Sequence, residues 1–146
     1  MGESRSIVEG FYDAFNRGDF DAARRYVADD IENTDPTGTL RGWDAFRQYI
    51  ETFKAASPDA TLSGSRWIED GNVVASEGTF TGTFTGPLRS PAGELQPTGR
   101  PFELSFAEFN QIQDGVIKVH RVYYDQMTFL AALGSMPASG GPLAGS

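Results

Sequence analysis

Cysteine is absent from the 146 residues, and histidine occurs once. The first absence excludes disulfides, thiolate metal sites and a cysteine nucleophile; the second excludes a multi-histidine metal cluster. Side-chain chemistry is left to carboxylates, tyrosines and one imidazole. Basic runs are missing as well. Against 20 Asp+Glu stand 12 Lys+Arg, a net charge of −8, with no cluster able to follow a phosphate backbone, so nucleic acid is not an expected partner. No apolar stretch approaches the ~20 residues that a membrane-crossing helix needs, and Met1-Gly2-Glu3-Ser4-Arg5-Ser6 contains no apolar signal core. A soluble, cytoplasmic protein without a membrane partner is expected. The length suits one domain, enough to hide roughly 70% of the surface that the open chain exposes.

What is present begins with helical spacing. Val8, Phe11, Tyr12 and Phe15 recur three and four apart, and Asn16-Arg17-Gly18 supplies a stop, so a helix is predicted over 5–17. Asp19 is an N-cap for a short second helix reaching Ala28. Ile31 to Thr34 leaves room for only a short strand, and Asp35-Pro36-Thr37-Gly38 reads as a turn. Gly42 opens a third helix with Phe46, Tyr49, Ile50 and Phe53 along one face, ended by Ser57-Pro58-Asp59. From Ala60 the period changes from about 3.6 to 2, and strands are predicted at 60–69, 72–85, 101–113 and 116–125. Asp70-Gly71 and Asp114-Gly115 are tight turns between neighbouring strands. Gln126 to Leu133 is a closing helical piece, and Gly86 to Gly99, with three prolines, reads as a long loop or lid. Residues 1–134 are expected to form one α+β domain, its helices covering one face of a curved antiparallel sheet. Residues 135–146, nearly all Gly, Pro, Ser and Ala, read as a disordered tail.

The last hairpin holds the most chemistry. A two-residue turn at Asp114-Gly115 would pair Gln113 with Val116 and, stepping outward, Glu108 with Arg121. One face then carries Leu104, Phe106, Glu108, Asn110 and Ile112 with Ile117, Val119, Arg121, Tyr123 and Asp125. The opposite face carries Phe109, His120, Val122 and Tyr124. A bulge would shift the parity of one strand. The first face, apolar with a few polar groups, suits the wall of a ligand pocket. A carboxylate desolvated in such a pocket has a raised pKa and can take a proton from carbon. Asp125 and Asp35 are the candidates, although Asp125 would equally cap the last helix and Asp35 would equally serve a turn. Glu108 and Arg121 read as an ion pair or, with Glu108 protonated, as an oxyanion site. Asn33 shares the direction of Asp35. Tyr12, Tyr49 and Tyr123 read as core rings whose hydroxyls reach a partner, and with Phe106 they complete the expected substrate-binding set. The outer face, with Phe109, His120, Val122 and Tyr124, predicts a homodimer built sheet against sheet.

Seven fragments in order carry a family resemblance. They are Phe11-Tyr12-Asp13-Ala14-Phe15-Asn16-Arg17-Gly18-Asp19, Asp35-Pro36-Thr37-Gly38 with Arg41-Gly42, Ser57-Pro58-Asp59, Gly78-Thr79-Phe80-Thr81-Gly82, Pro97-Thr98-Gly99-Arg100, Asp114-Gly115-Val116-Ile117, and Tyr124-Asp125-Gln126-Met127 with Leu130 to Gly134. Spread over residues 8–134, they resemble the SnoaL-like polyketide cyclases. The resemblance implies the nuclear transport factor two-like fold, related to the cystatin-like cone, in which a bent sheet wraps around three helices and leaves an apolar cavity. It further implies cofactor-free aldol closure of a polyketide ring in that cavity, with Asp125 at the position of the family's acid/base and Arg121 or Asn33 holding the enolate. Ala28-Asp29-Asp30 followed by Asp35-Pro36 is similar to ketosteroid isomerase, which implies Asp35 as a second candidate base and Glu108 as its protonated acid. Phe11 departs from that pattern, standing where the isomerase has a tyrosine. Related cones also act as dehydratases, epoxide hydrolases and non-catalytic small-molecule binders.

Overall fold

The computed structural model describes residues 2–90 and 93–134. Helix α1 (Glu3–Arg17) buries Val8, Phe11, Tyr12 and Phe15 on one face and ends at Gly18, whose φ of 70° suits a glycine cap. Helix α2 (Phe20–Arg24) starts where the Asp19 carboxylate accepts from the Ala22 amide at 2.9 Å. It is shorter than the helix expected to Ala28, because the chain turns into strand β1 (Val27–Asp35) as Tyr26 packs on Gly10. A Cβ at Gly10 would lie 2.3 Å from the Tyr26 ring, so only glycine admits that contact.

Strand β1 is longer than expected and turns through Pro36 and Thr37 into β2 (Gly38–Arg41), a strand that no periodicity announced. Helix α3 (Trp43–Ala56) follows, then β3 (Thr61–Asp70), β4 (Val73–Thr83), β7 (Pro101–Gln113), β8 (Val116–Tyr123) and α4 (Gln126–Leu133). Within the segment expected to be a loop, β5 (Leu88–Ser90) and β6 (Gly93–Leu95) make a separate ribbon. The expected tail, 135–146, lies outside the described residues.

The six-stranded sheet runs β2-β1-β8-β7-β4-β3. One pairing departs from the antiparallel expectation: β1 and β8 run parallel, which makes the sheet mixed. Its inner face buries Val74, Ser76, Phe80, Leu104, Phe106 and Ile112 against rings from α1 and α3. Phe11 and Phe46 meet with centroids 5.7 Å apart, which ties the two helices together under the sheet. Burying each such ring contributes about 1.5–3 kcal/mol. Two polar clamps fix the ends. Asn16 both donates to and accepts from the Leu62 backbone, while the buried Lys54 ammonium donates to the carbonyls of Asn16, Pro58 and Ala60. Among the described residues, no helix is long and apolar enough to cross a membrane.

Candidate active site

The hairpin turn forms as its sequence demands. Asp114 and Gly115 both take positive φ, 54° and 78°, as a two-residue turn matching strand twist requires. Pairing begins as expected with Gln113 opposite Val116 and Ile112 opposite Ile117. Then β8 bulges by one residue, so Gln111 faces Val119, Asn110 faces His120 and Glu108 faces Val122. Side-chain period along a strand is two, so one extra residue exchanges the faces of everything beyond it.

This bulge reverses the expected faces of β8. Arg121 stands outside, opposite Phe109, with its guanidinium 4.0 Å from Glu32 and no pairing to Glu108. Tyr123, 53% exposed, is also outside, edge-on to Phe109 at 6.3 Å between centroids. His120, Val122 and Tyr124, expected on the outer face, instead line the interior. Asp125, expected to look into the cavity, is exposed. Its carboxylate caps α4, accepting from the Met127 amide at 3.0 Å, the Thr128 amide at 3.3 Å and the Thr128 hydroxyl at 2.7 Å. Those bonds from Thr128, ahead of the one from Met127, hold its pKa below the ordinary carboxylate value.

By turning His120 inward, the bulge completes a buried polar chain with Glu108 and Asn110 of β7. Glu108 (3% exposed), Asn110 and His120 (6%) adjoin on the inner face. The Asn110 amide nitrogen donates to Glu108 at 2.8 Å, and Asn110 Oδ1 meets His120 Nδ1 at 2.7 Å. With the amide nitrogen turned to Glu108, the amide oxygen is left for the imidazole, so His120 donates to it from Nδ1. Phe11 and Phe46 flank the imidazole at 6.2 and 5.8 Å. Tyr12 lies behind Glu108, its hydroxyl 3.1 Å from that of Ser76. Burial, and then the Glu108 charge, push the Tyr12 pKa far up, so it remains a neutral phenol. Asn33, paired with His120 across β1 and β8, is 1% exposed, and neither end of its amide has a partner among the described residues.

Two adjoining hollows carry these groups. The inner one, about 70 Å³, is walled by aromatic and aliphatic side chains together with Phe106, Glu108 and His120. The outer one, about 500 Å³, opens between the β1–β2 turn, α3, the β5 ribbon and the start of α4. Tyr49, Phe53, Tyr124 and Phe129 line both hollows and form the partition. Asp35 sits in the outer vestibule, 8% exposed, accepting from the Thr37 amide at 2.8 Å and its hydroxyl at 2.6 Å. It is thus a turn residue, as one expectation held, and it also faces the cavity. Burial first, then the Asp35 charge, raise the pKa values of Tyr49 and Tyr124 above 10.0. Apolar cavities of ~150 Å³ can admit a benzene ring. The inner hollow, at 70 Å³, is smaller than that, whereas the vestibule has the size of a drug-like ligand site.

Of the expected set, then, Asp35, Tyr49, Phe106 and Glu108 line the hollows, Tyr12 backs Glu108, Asn33 is buried beside His120 without lining either hollow, and Asp125, Arg121 and Tyr123 do not reach them. His120, Asn110 and Tyr124 were missed as site residues. A single bulge residue inverted two of them, and the only signal for His120 was its being the sole imidazole. Among the described residues, no group of three His, Asp or Glu is placed to hold a metal ion.

Residues 6–133 match the family model described as SnoaL-like polyketide cyclase. The fold superposes on AclR of Streptomyces galilaeus, provisionally named a hydroxylase, with TM-score 0.79 and 23% identity over 94% of this chain and 88% of that one. IdmH of Streptomyces antibioticus, provisionally named a polyketide cyclase, shares 28% identity over 90% of this chain and 98% of its own, with TM-score 0.76. A SnoaL-like protein of Jannaschia sp. CCS1 superposes with TM-score 0.81 at 15% identity, over 92% and 94% of the two chains. Among curated proteins none matches this chain.

Proposed function

The chain belongs to the SnoaL-like polyketide cyclase family, and from that membership we propose that it closes a ring of a polyketide-type substrate by an intramolecular aldol reaction. The observation that carries the reading is the buried Glu108–Asn110–His120 chain at the end of an aromatic-walled cavity. In this proposal His120 Nε2, and not Asp125, takes a proton from a carbon flanked by two carbonyls. Asn33, buried beside His120 and with no partner for its amide among the described residues, is the donor assigned to the enolate oxygen. The carbon attacks a second carbonyl of the same molecule, a C–C bond forms, and Nε2 returns the proton to the new alkoxide, so product and substrate are isomers. Glu108, acting through Asn110, steadies the imidazolium while the proton is held. Much of the acceleration comes from folding a flexible substrate so that the reacting carbons meet.

Turnover of an aromatic poly-β-ketone ester by wild type and by His120→Gln tests this. The variant is expected to lose about 10²–10⁴-fold in kcat while its thermal stabilisation by the substrate persists. Unchanged turnover in His120→Gln would dispose of the mechanism, and binding without turnover in wild type would leave a small-molecule carrier.

A second reading takes Asp35 as a proton-shuttling base for an isomerase. Its support is the buried Asp35 carboxyl beside the hydroxyls of Tyr49 and Tyr124. A kcat collapse in Asp35→Asn but not in His120→Gln would favour it.

The expected homodimer is also retained as a proposal, on a corrected face. Ile68, Val73, Phe109 and Tyr123, four of the five exposed large hydrophobics among the described residues, share the outer side of the sheet. Light scattering at micromolar concentration should give twice the 15.9 kDa chain mass, and a monomer would count against it.

A further inference from the structure

Gln126 enters none of the chemistry above. It opens α4 where the chain leaves the sheet, and the alternation of Tyr124 inward, Asp125 outward and Gln126 inward sets it in the vestibule wall. Its amide oxygen Oε1 is buried and has no partner among the described residues. A buried acceptor left unpaired is destabilising, and a donor from outside the chain would remove that penalty. The Asp125 cap fixes the first turn of α4, so Gln126 is held in place instead of swinging out to water. Around it, Tyr49, Phe53, Tyr124 and Phe129 present ring surfaces that suit a flat aromatic body. What Oε1 lacks is a hydrogen-bond donor, and the group that a planar ligand can bring at its edge is a hydroxyl.

We propose that Gln126 determines specificity in the vestibule by accepting a hydrogen bond from a hydroxyl of a planar aromatic ligand, so that the site selects phenolic or enolic ligands over their methyl ethers. The inference rests on the reading that the cavity takes aromatic polyketide-type ligands. A site built around a hydrogen-bonding group rejects the analogue that lacks the matching partner, because the protein group is then buried unpaired. An ether blocks the acceptor and offers nothing in return.

Equilibrium titrations by intrinsic tryptophan fluorescence decide it. The probes are anthraflavic acid, a planar anthraquinone with free phenols, and its dimethyl ether, at a pH where the phenols are protonated. Wild type is expected to bind the phenol about tenfold more tightly than the ether, the scale of one hydrogen bond. Gln126→Met, close in volume but without the acceptor, should lose about that factor for the phenol alone, while Gln126→Glu, which keeps an acceptor, should retain the preference. Matching melting curves for the variants exclude misfolding. Equal binding of phenol and ether by wild type, or a preference surviving in Gln126→Met, overturns the inference alone and means that Oε1 holds only water. A preference for the ether overturns it too. Failure of wild type to bind either probe overturns it together with the polyketide reading on which it rests.

Discussion

The inner hollow and the vestibule share four rings and little else. The inner space, about 70 Å³, is nearly filled, and its polar groups are the fully enclosed Glu108–Asn110–His120 chain. The vestibule, about 500 Å³, is bordered by threonines, Gln48, Gln126, Asp35 and the exposed Arg89. Electrostatic interactions are stronger where water is excluded, which suits the first space to the proton transfer proposed above. Room and adaptable hydrogen bonding belong to the second, which has the space for a ligand's body.

Substitutions can sharpen or break that division. The largest effect beyond His120 is expected at Glu108. Glu108→Gln keeps the volume yet removes the charge behind the imidazole, and kcat should fall on the order of tenfold or more with KM little changed. A KM effect alone would place Glu108 in binding and erase the distinction between the two spaces. Alkaline stability comes next. Tyr12 belongs to the inner network, Tyr49 and Tyr124 to the partition, and all three ionise less readily than the ordinary 10.0. The folded chain therefore keeps protons that the unfolded chain releases. Their contribution is complete below pH 10.0 and is lost as the pH climbs above it, by about 1.4 kcal/mol per pH unit for each such tyrosine. Phenolate absorbance followed alongside circular dichroism should show fewer than five tyrosines ionised before the fold is lost; five ionising in the intact fold would mean that the partition is open to water. The smallest effect is expected at Asp125. Asn caps a helix about as well as Asp, so Asp125→Asn should leave kcat within about twofold and lower the melting temperature slightly. Asp125→Ala, which loses the cap, should lower it by a few degrees. A kcat collapse in Asp125→Asn with binding retained would return the chemistry to that carboxylate.

Helix α1, helix α3 and the Asp114-Gly115 turn were readable because each rests on local spacing: apolar residues three and four apart, and two residues able to take positive φ. The inner face of β7 was readable for the same reason, its buried residues alternating without interruption from Phe102 to Ile112. Strand β2 and the β5–β6 ribbon were not, being three or four residues long and paired by partners that local pattern does not reveal. The partial filling of the hollow, which leaves 70 Å³ inside and 500 Å³ outside, has no signature in the chain at all.

Composition and periodicity by themselves determined an α+β chain with no thiol and one imidazole, and they singled out the β7–β8 hairpin as the place where carboxylate, phenol and imidazole gather. Which side of that hairpin faces the interior was decided only in the folded sheet. Against the antiparallel partner β7, β8 carries one extra residue between Ile117 and Val119, and its register with the parallel partner β1 shifts over the same stretch, between Val27 and Glu32. Because successive side chains of a strand point opposite ways, that residue carried His120 and Tyr124 inward and left Arg121, Tyr123 and Asp125 to solvent.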